Sequence, residues 1–244
     1  MRVRALILLG LFAPTAFADE AVTIAVASNF SRTAAELVTE FQDQTGVDTR
    51  YTTGSTGKLY HQILHGAPYN VFLAADAERP VLLEQSGRTV PTTRFTYAIG
   101  ALVLWSPEIE ECREALGQSR FNHLSIANPQ TAPYGRAARE FLVSAGLWER
   151  VAARTVNGEN IIQALQFVAT GNADLGLVAR SQLTGTDQAG VGCQWPVPAS
   201  SHASLDQQVV VLKPVHDGAL RFAEFLRSEK ARAIIRRHGY GVAE

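Results

Sequence analysis

Only two cysteines, Cys112 and Cys193, occur in the 244 residues, and neither has C-x-x-C spacing or a neighbouring histidine. A zinc or cluster framework is thereby set aside. One disulfide between them stays open, since spacing does not show whether two thiols meet. Charge excess is also missing: 22 Lys and Arg stand against 23 Asp and Glu, a net of −1. That leaves no basic field for nucleic acid and no polybasic membrane patch. Low-complexity tracts and short-period repeats are absent too. What is present is an ordinary apolar content of 46% in a chain long enough for one large domain or two lobes.

The first eighteen residues are of a different kind. Arg2 and Arg4 form a positive start, Ala5 to Phe12 a short apolar run, and Ala16-Phe17-Ala18 a small-x-small site. The run is too short to span a bilayer, so residues 1–18 are expected to be a signal peptide cleaved after Ala18. No cysteine stands at the cut to carry a lipid. The mature chain would keep 20 basic and 23 acidic residues. An exported protein permits the disulfide that the two cysteines leave open.

Beyond the leader, apolar strands alternate with amphipathic helices. Val22 to Ala27 is a buried-type strand, followed by the polar turn Ser28-Asn29 and a helix with Ala34, Leu37, Val38 and Phe41 on one stripe. Val47 to Tyr51 and Val71 to Ala75 are further strands, and Pro80 to Gln85 is helical. Phe95 to Trp105 is a long β-rich run broken by Gly100, suited to crossing into a second lobe. There the alternation resumes. His123 to Ala127, Ala152 to Val156 and Ala173 to Val178 are predicted strands, and Arg136 to Ser144 and Ile161 to Ala169 predicted helices. Trp195 to Ser204, rich in Pro and Ser, is expected to be a loop. Gln207 to Leu212 would carry the chain back, with closing helices at 217–227 and 229–237. The expectation is an α/β protein with mainly parallel strands in two lobes, 19–98 plus 207–244 and 99–206. A cleft between such lobes, closed by hinge motion, is the expected site.

The chemistry concentrates where helices begin. Gly54-Ser55-Thr56-Gly57 opens a helix that Gly66 and Pro68 end. Helix starts carry unpaired N–H groups and a positive dipole end, which suit an anion. Ser and Thr there also suit plain capping. Ser28-Asn29, Ala132 to Gly135 and Asn157 to Asn160 open three more helices, and four such starts facing one cleft would form a cradle of neutral donors. A donor-only pocket favours a fully deprotonated oxyanion over protonated phosphate. An amino acid would need a carboxylate for its ammonium, and Asp76 or Glu159 would have to supply it. The Lys58 run is no P-loop, because Thr52 and Leu59 break the pattern. His61 and His65 have metal-like spacing, but Gln62 stands where a zincin needs Glu and no third ligand is apparent. No G-x-S-x-G elbow exists at Ser55 for a hydrolase. Trp105, Trp148 and Trp195 are scattered and suit packing.

The segments AVASNF (25–30), GSTGKLYHQILHGAPYNVFLAAD (54–76), RFTYAIGALVLW (94–105), IANPQTAPYG (126–135) and ADLGLVA (173–179) resemble, in this order and spacing, the periplasmic molybdate-binding proteins of ABC-type molybdate importers. The resemblance covers almost the whole mature chain. It implies a type II-like bilobal periplasmic-binding-protein fold, no enzyme activity, no cofactor and no cation ligands. It further implies a monomeric periplasmic receptor for molybdate or tungstate that delivers its cargo to a membrane permease. Ser28 matches the family's first-turn hydroxyl ligand and Asn29 the amide beside it in one branch. Thr56 matches the second-turn hydroxyl, with Ser55 adjacent and either able to be the contact. Ile161 matches a backbone N–H donor. Some members use a tyrosine where this chain has Ala179, and Tyr134 matches the branch in which another turn supplies it. The alternatives are a receptor for sulfate or another small oxyanion, and a secreted hydrolase using Ser28 or Ser55.

Overall fold

The computed structural model describes residues 21–243. The leader at 1–18, with its cut after Ala18, lies outside the described residues. Ten strands are found among them: β1 (Val22–Ala27), β2 (Thr49–Gly54), β3 (Val71–Leu73), β4 (Phe95–Ile99), β5 (Leu102–Ser106), β6 (Leu124–Ala127), β7 (Thr155–Gly158), β8 (Leu175–Ala179), β9 (Cys193–Pro196) and β10 (Asp206–Val211). They form two five-stranded sheets, ordered β2-β1-β3-β10-β4 and β7-β6-β8-β5-β9. The chain passes between the sheets at Gly100–Ala101 and again at Leu205.

Each sheet is mixed rather than mainly parallel. β1 pairs in parallel with β2 and β3, and β6 with β7 and β8. β10 and β5 run antiparallel to both of their neighbours. The crossings explain this. A strand that begins at a crossing must run away from the cleft, whereas β1 to β4 and β6 to β8 run toward it. One reversed strand per sheet therefore makes two antiparallel pairs.

Three further differences are local. The predicted strand Ala152–Val156 is a 3-10 turn, Ala152–Arg154, followed by β7. The predicted loop Trp195–Ser204 contributes part of the edge strand β9, where Pro196 is tolerated because an edge strand need not donate on its outer side. The helices Cys112–Gln118 and Trp148–Val151 are additional. Phe95–Trp105 crosses at Gly100, where the sequence breaks the run, from β4 in the first sheet to β5 in the second.

Burial follows the strand period of two. Leu102 and Leu104 face a core with Ile126, Phe141 and Leu177, while Val103 and Trp105 face Val168 and Val178 on the other side. In the first sheet, Ile24, Phe30, Leu37, Phe41 and Phe222 pack on one face, and Ala25, Leu59, Phe72 and Leu83 on the other. Each fully buried Leu, Ile or Phe contributes about 1.5–3 kcal/mol, so each sheet carries a core of its own. Cys112 and Cys193 are joined in a disulfide with Cα atoms 5.6 Å apart, tying the helix Cys112–Gln118 to the start of β9. Trp195 packs on Phe141 and under the Arg113 guanidinium, and Trp105 donates to the Val191 carbonyl.

Candidate functional site

The parallel strands of both sheets point their carboxyl ends at one another, and the turns that follow them line a small cavity. Beyond β1 lie Ser28 and Asn29, beyond β2 Ser55 and Thr56, and beyond β3 Ala75. From the second sheet come Ala132, Pro133 and Tyr134 after β6, and Ile161 after β7. These residues line about 190 Å³ of space free of atoms, part of it open to solvent. Such crevices at strand carboxyl ends are where open α/β sheets bind ligands. All six residues singled out in the sequence, Ser28, Asn29, Ser55, Thr56, Tyr134 and Ile161, are brought together here.

Four helix starts meet at this cavity, and they are not equivalent. The helix Ile161–Ala169 is capped by Asn160, whose Oδ1 accepts from the N–H groups of Ile162 and Gln163 at 2.9 and 3.2 Å. That cap leaves the first N–H, on Ile161, for the cavity. The starts at Ser28, Thr56 and Pro133 have no side-chain cap. Ser55 stands at the N-cap position, yet its hydroxyl caps nothing. Its Oγ is buried without a hydrogen-bond partner. Plain capping therefore does not account for Ser55, and a buried hydroxyl without a partner is uncommon enough to need a reason.

Thr56 is placed differently. Its Oγ1 accepts from the Ala75 N–H at 3.2 Å, tying the turn after β2 to the turn after β3. The hydroxyl proton remains to be donated. Asn29 lines the cavity with its amide hydrogens already engaged: Nδ2 donates to Gln207 Oε1 at 2.9 Å and to Tyr240 Oη at 3.1 Å. What Asn29 can offer a ligand is thus the backbone N–H at its helix start. The sequence-based picture of an amide donor changes accordingly.

No lining residue carries a charge. Burial pushes the Tyr134 phenol well above its usual range, so it stays protonated. Asp76 follows Ala75 but its carboxylate is paired with Arg79 and lies 3.8 Å from Arg136. Glu159 is paired with Lys58 across the cleft. Both candidate acceptors for an ammonium group are thus spent on cations, and the cavity offers donors.

Contacts between the lobes flank the cavity on two sides. On one, the Gly57 N–H donates to the Thr131 carbonyl at 2.8 Å, and Arg136 pairs with Glu78 at 2.5 Å. On the other, Arg32 donates to the carbonyls of Ser181, Thr184 and Gly185, and Arg180 to that of Gly239. A buried network that sequence reasoning missed lies beneath the cavity: Gln207 contacts Asn29, Tyr97 and Tyr134, and Tyr240 donates to the Asn29 carbonyl at 2.7 Å. Its only sequence signal is two glutamines opening an apolar strand.

A family model, that of the bacterial extracellular solute-binding proteins, matches residues 22–241. The chain belongs to that family. Among curated solute-binding proteins it is 43% identical to the molybdate-binding protein ModA of Azotobacter vinelandii, over 96% of this chain and 94% of that one. It is 40% identical to the molybdate-binding protein ModA of Rhodobacter capsulatus, over 96% and 92%. Among solved structures, the Azotobacter vinelandii periplasmic molybdate-binding protein superposes with a TM-score of 0.87 at 37% identity, covering 91% of this chain and all 100% of that one. Ala179, the last residue of β8, does not line the cavity; its N–H donates to Gln182 Oε1 at 3.0 Å.

Proposed function

We propose that the protein is a periplasmic receptor that binds molybdate or tungstate and delivers it to an ABC importer. One observation carries the site: an uncharged cavity between the lobes contains a buried serine hydroxyl, Ser55 Oγ, with no partner. A dehydrated oxyanion is very costly unless hydrogen bonds replace its water. Each hydrogen bond to a charged group contributes about 1.5–3 kcal/mol, and each helix start about 0.3–1 kcal/mol more. The hydroxyls of Ser28, Ser55, Thr56 and Tyr134, with the N–H groups at Asn29 and Ile161, supply contacts on the needed scale. A donor-only lining selects a fully deprotonated oxyanion, since a protonated one needs an acceptor. Molybdate is favoured over sulfate by the similarity to the Azotobacter and Rhodobacter molybdate-binding proteins.

The protein is a binding protein and not an enzyme, as its relatives are. Ser28 and Ser55 have no histidine beside them in the cavity lining to act as a base. The oxyanion is cargo, no resident cofactor is invoked, and the receptor acts as a monomer on a membrane permease after removal of residues 1–18. Calorimetric titration of the mature chain with molybdate, tungstate and sulfate tests the reading. Molybdate and tungstate should bind and sulfate should bind far more weakly. Sulfate binding as tight as molybdate overturns the specificity, and ester turnover abolished by Ser28→Ala overturns the receptor.

A further inference from the structure

Gln207 is fully buried and stands two residues past the second crossing, where a polar side chain costs stability unless it is fully hydrogen-bonded. Its Oε1 lies 2.9 Å from Asn29 Nδ2 and 3.3 Å from Tyr97 Oη. With its oxygen turned toward these donors, its nitrogen faces the other lobe, 3.3 Å from Tyr134 Oη. An amide nitrogen only donates, so the phenol oxygen must accept. The phenol then has one proton left, and that proton has no acceptor among the described residues. Tyr134 lines the cavity, and burial keeps the phenol protonated.

The packing around this pair makes the arrangement specific. A Cβ on Gly100 would lie 2.3 Å from Tyr134 Oη and 2.9 Å from Gln207 Nε2. Glycine at the crossing is thus what lets the two side chains meet. The same Gln207 also holds the amide of Asn29, so one side chain restrains a cavity residue from each lobe.

We infer that Gln207 is a positioning residue for the oxyanion site: by donating to Tyr134 from the opposite lobe, it commits the phenol's one proton to the bound anion. The inference rests on the receptor reading above and adds a residue that does not itself line the cavity. It predicts energetic coupling between Gln207 and Tyr134 in ligand binding, which a merely structural glutamine would not show.

The test is a double-mutant cycle on the mature protein, titrated with molybdate, using Gln207→Met, Tyr134→Phe and the double variant. Gln207→Met keeps the length and removes the donor. Each single variant should weaken binding about tenfold or more. In the Tyr134→Phe background, Gln207→Met should cost clearly less than it does in the wild type, what remains being its loss through Asn29. Circular dichroism melts of the unliganded variants establish that they fold. Where Gln207→Met does not fold, Gln207→Glu takes its place in the cycle; it keeps the shape but presents an acceptor, which should turn the phenol proton away and weaken binding at least as much. Multiplicative losses with intact wild-type binding overturn the inference alone. Failure of the wild-type protein to bind molybdate overturns the receptor reading and this inference together.

Discussion

The backbone N–H of Gly57 donates to the carbonyl of Thr131 at 2.8 Å, and these two residues belong to opposite lobes. The contact puts the helix start that holds Thr56 directly against the turn that leads to Tyr134. Glycine is needed at 57 for spatial reasons. A Cβ there would lie 2.9 Å from the Thr131 oxygen and 3.1 Å from its Cα.

Gly57→Ala should therefore obstruct closure without harming either lobe. Alanine is the better helix former by about 1 kcal/mol, so the unliganded protein should melt no lower. Forcing the lobes together against the extra methyl should cost about 1–3 kcal/mol of binding. Titration calorimetry and thermal melts of the same variant give both quantities. Unchanged molybdate affinity would show that Gly57 and Thr131 do not meet in the bound state.

Ser55 and Thr56 are separable by their partners. Ser55→Ala removes a buried hydroxyl that nothing satisfies, so the unliganded protein should be as stable or more so. Its affinity for molybdate should fall by about 1–3 kcal/mol. Thr56→Val removes the acceptor of the Ala75 N–H as well, so it should lose affinity and about 1–3 kcal/mol of stability together. Equal stability losses in both variants would mean that Ser55 has a structural partner after all.

Acid should loosen one of the inter-lobe contacts. The hydrogen bond from Arg136 holds the Glu78 carboxyl below the usual carboxylate range. A carboxyl depressed in the folded state stabilises it above the ordinary range and loses that contribution as pH falls through its folded-state value. The melting temperature of the wild type should exceed that of Glu78→Gln at neutral pH. The gap should close as the pH drops through and below the carboxylate range. A gap that persists in acid would show that the pair does not depend on the Glu78 charge.

The disulfide should matter to stability and not to the ligand. Cys193 pairs in register with Ser106, at the end of β5 away from the crossing. Cys112→Ser with Cys193→Ser should lower unfolding free energy by about 2–4 kcal/mol in denaturant titrations. Molybdate affinity should stay within about twofold, since neither cysteine lines the cavity and the bridge sits at the end of β5 away from the crossing. A large loss of affinity would mean that the edge of the second lobe shapes the cavity.

The sequence by itself determined the local elements and their polarity. Val22–Ala27 is a strand because it is a continuous apolar run, and Glu229–Arg237 is a helix because its apolar residues recur at helical spacing. The hydroxyl and small residues at helix starts marked Ser28, Ser55 and Thr56, because capping chemistry is written in residue types, whereas only the resemblance to the molybdate-binding family singles out Tyr134 and Ile161. The tertiary structure alone decided what those groups do. The reversed directions of β5 and β10 follow from where the chain crosses between sheets, which no local pattern records. The free hydroxyl of Ser55, the engaged amide of Asn29 and the paired carboxylate of Glu159 each depend on a partner distant in sequence or on the lack of one. Gln207 lies 73 residues from Tyr134 and 178 from Asn29. Hydrogen bonds over such separations exist only once both sheets have folded and their crossings have brought the strand ends together.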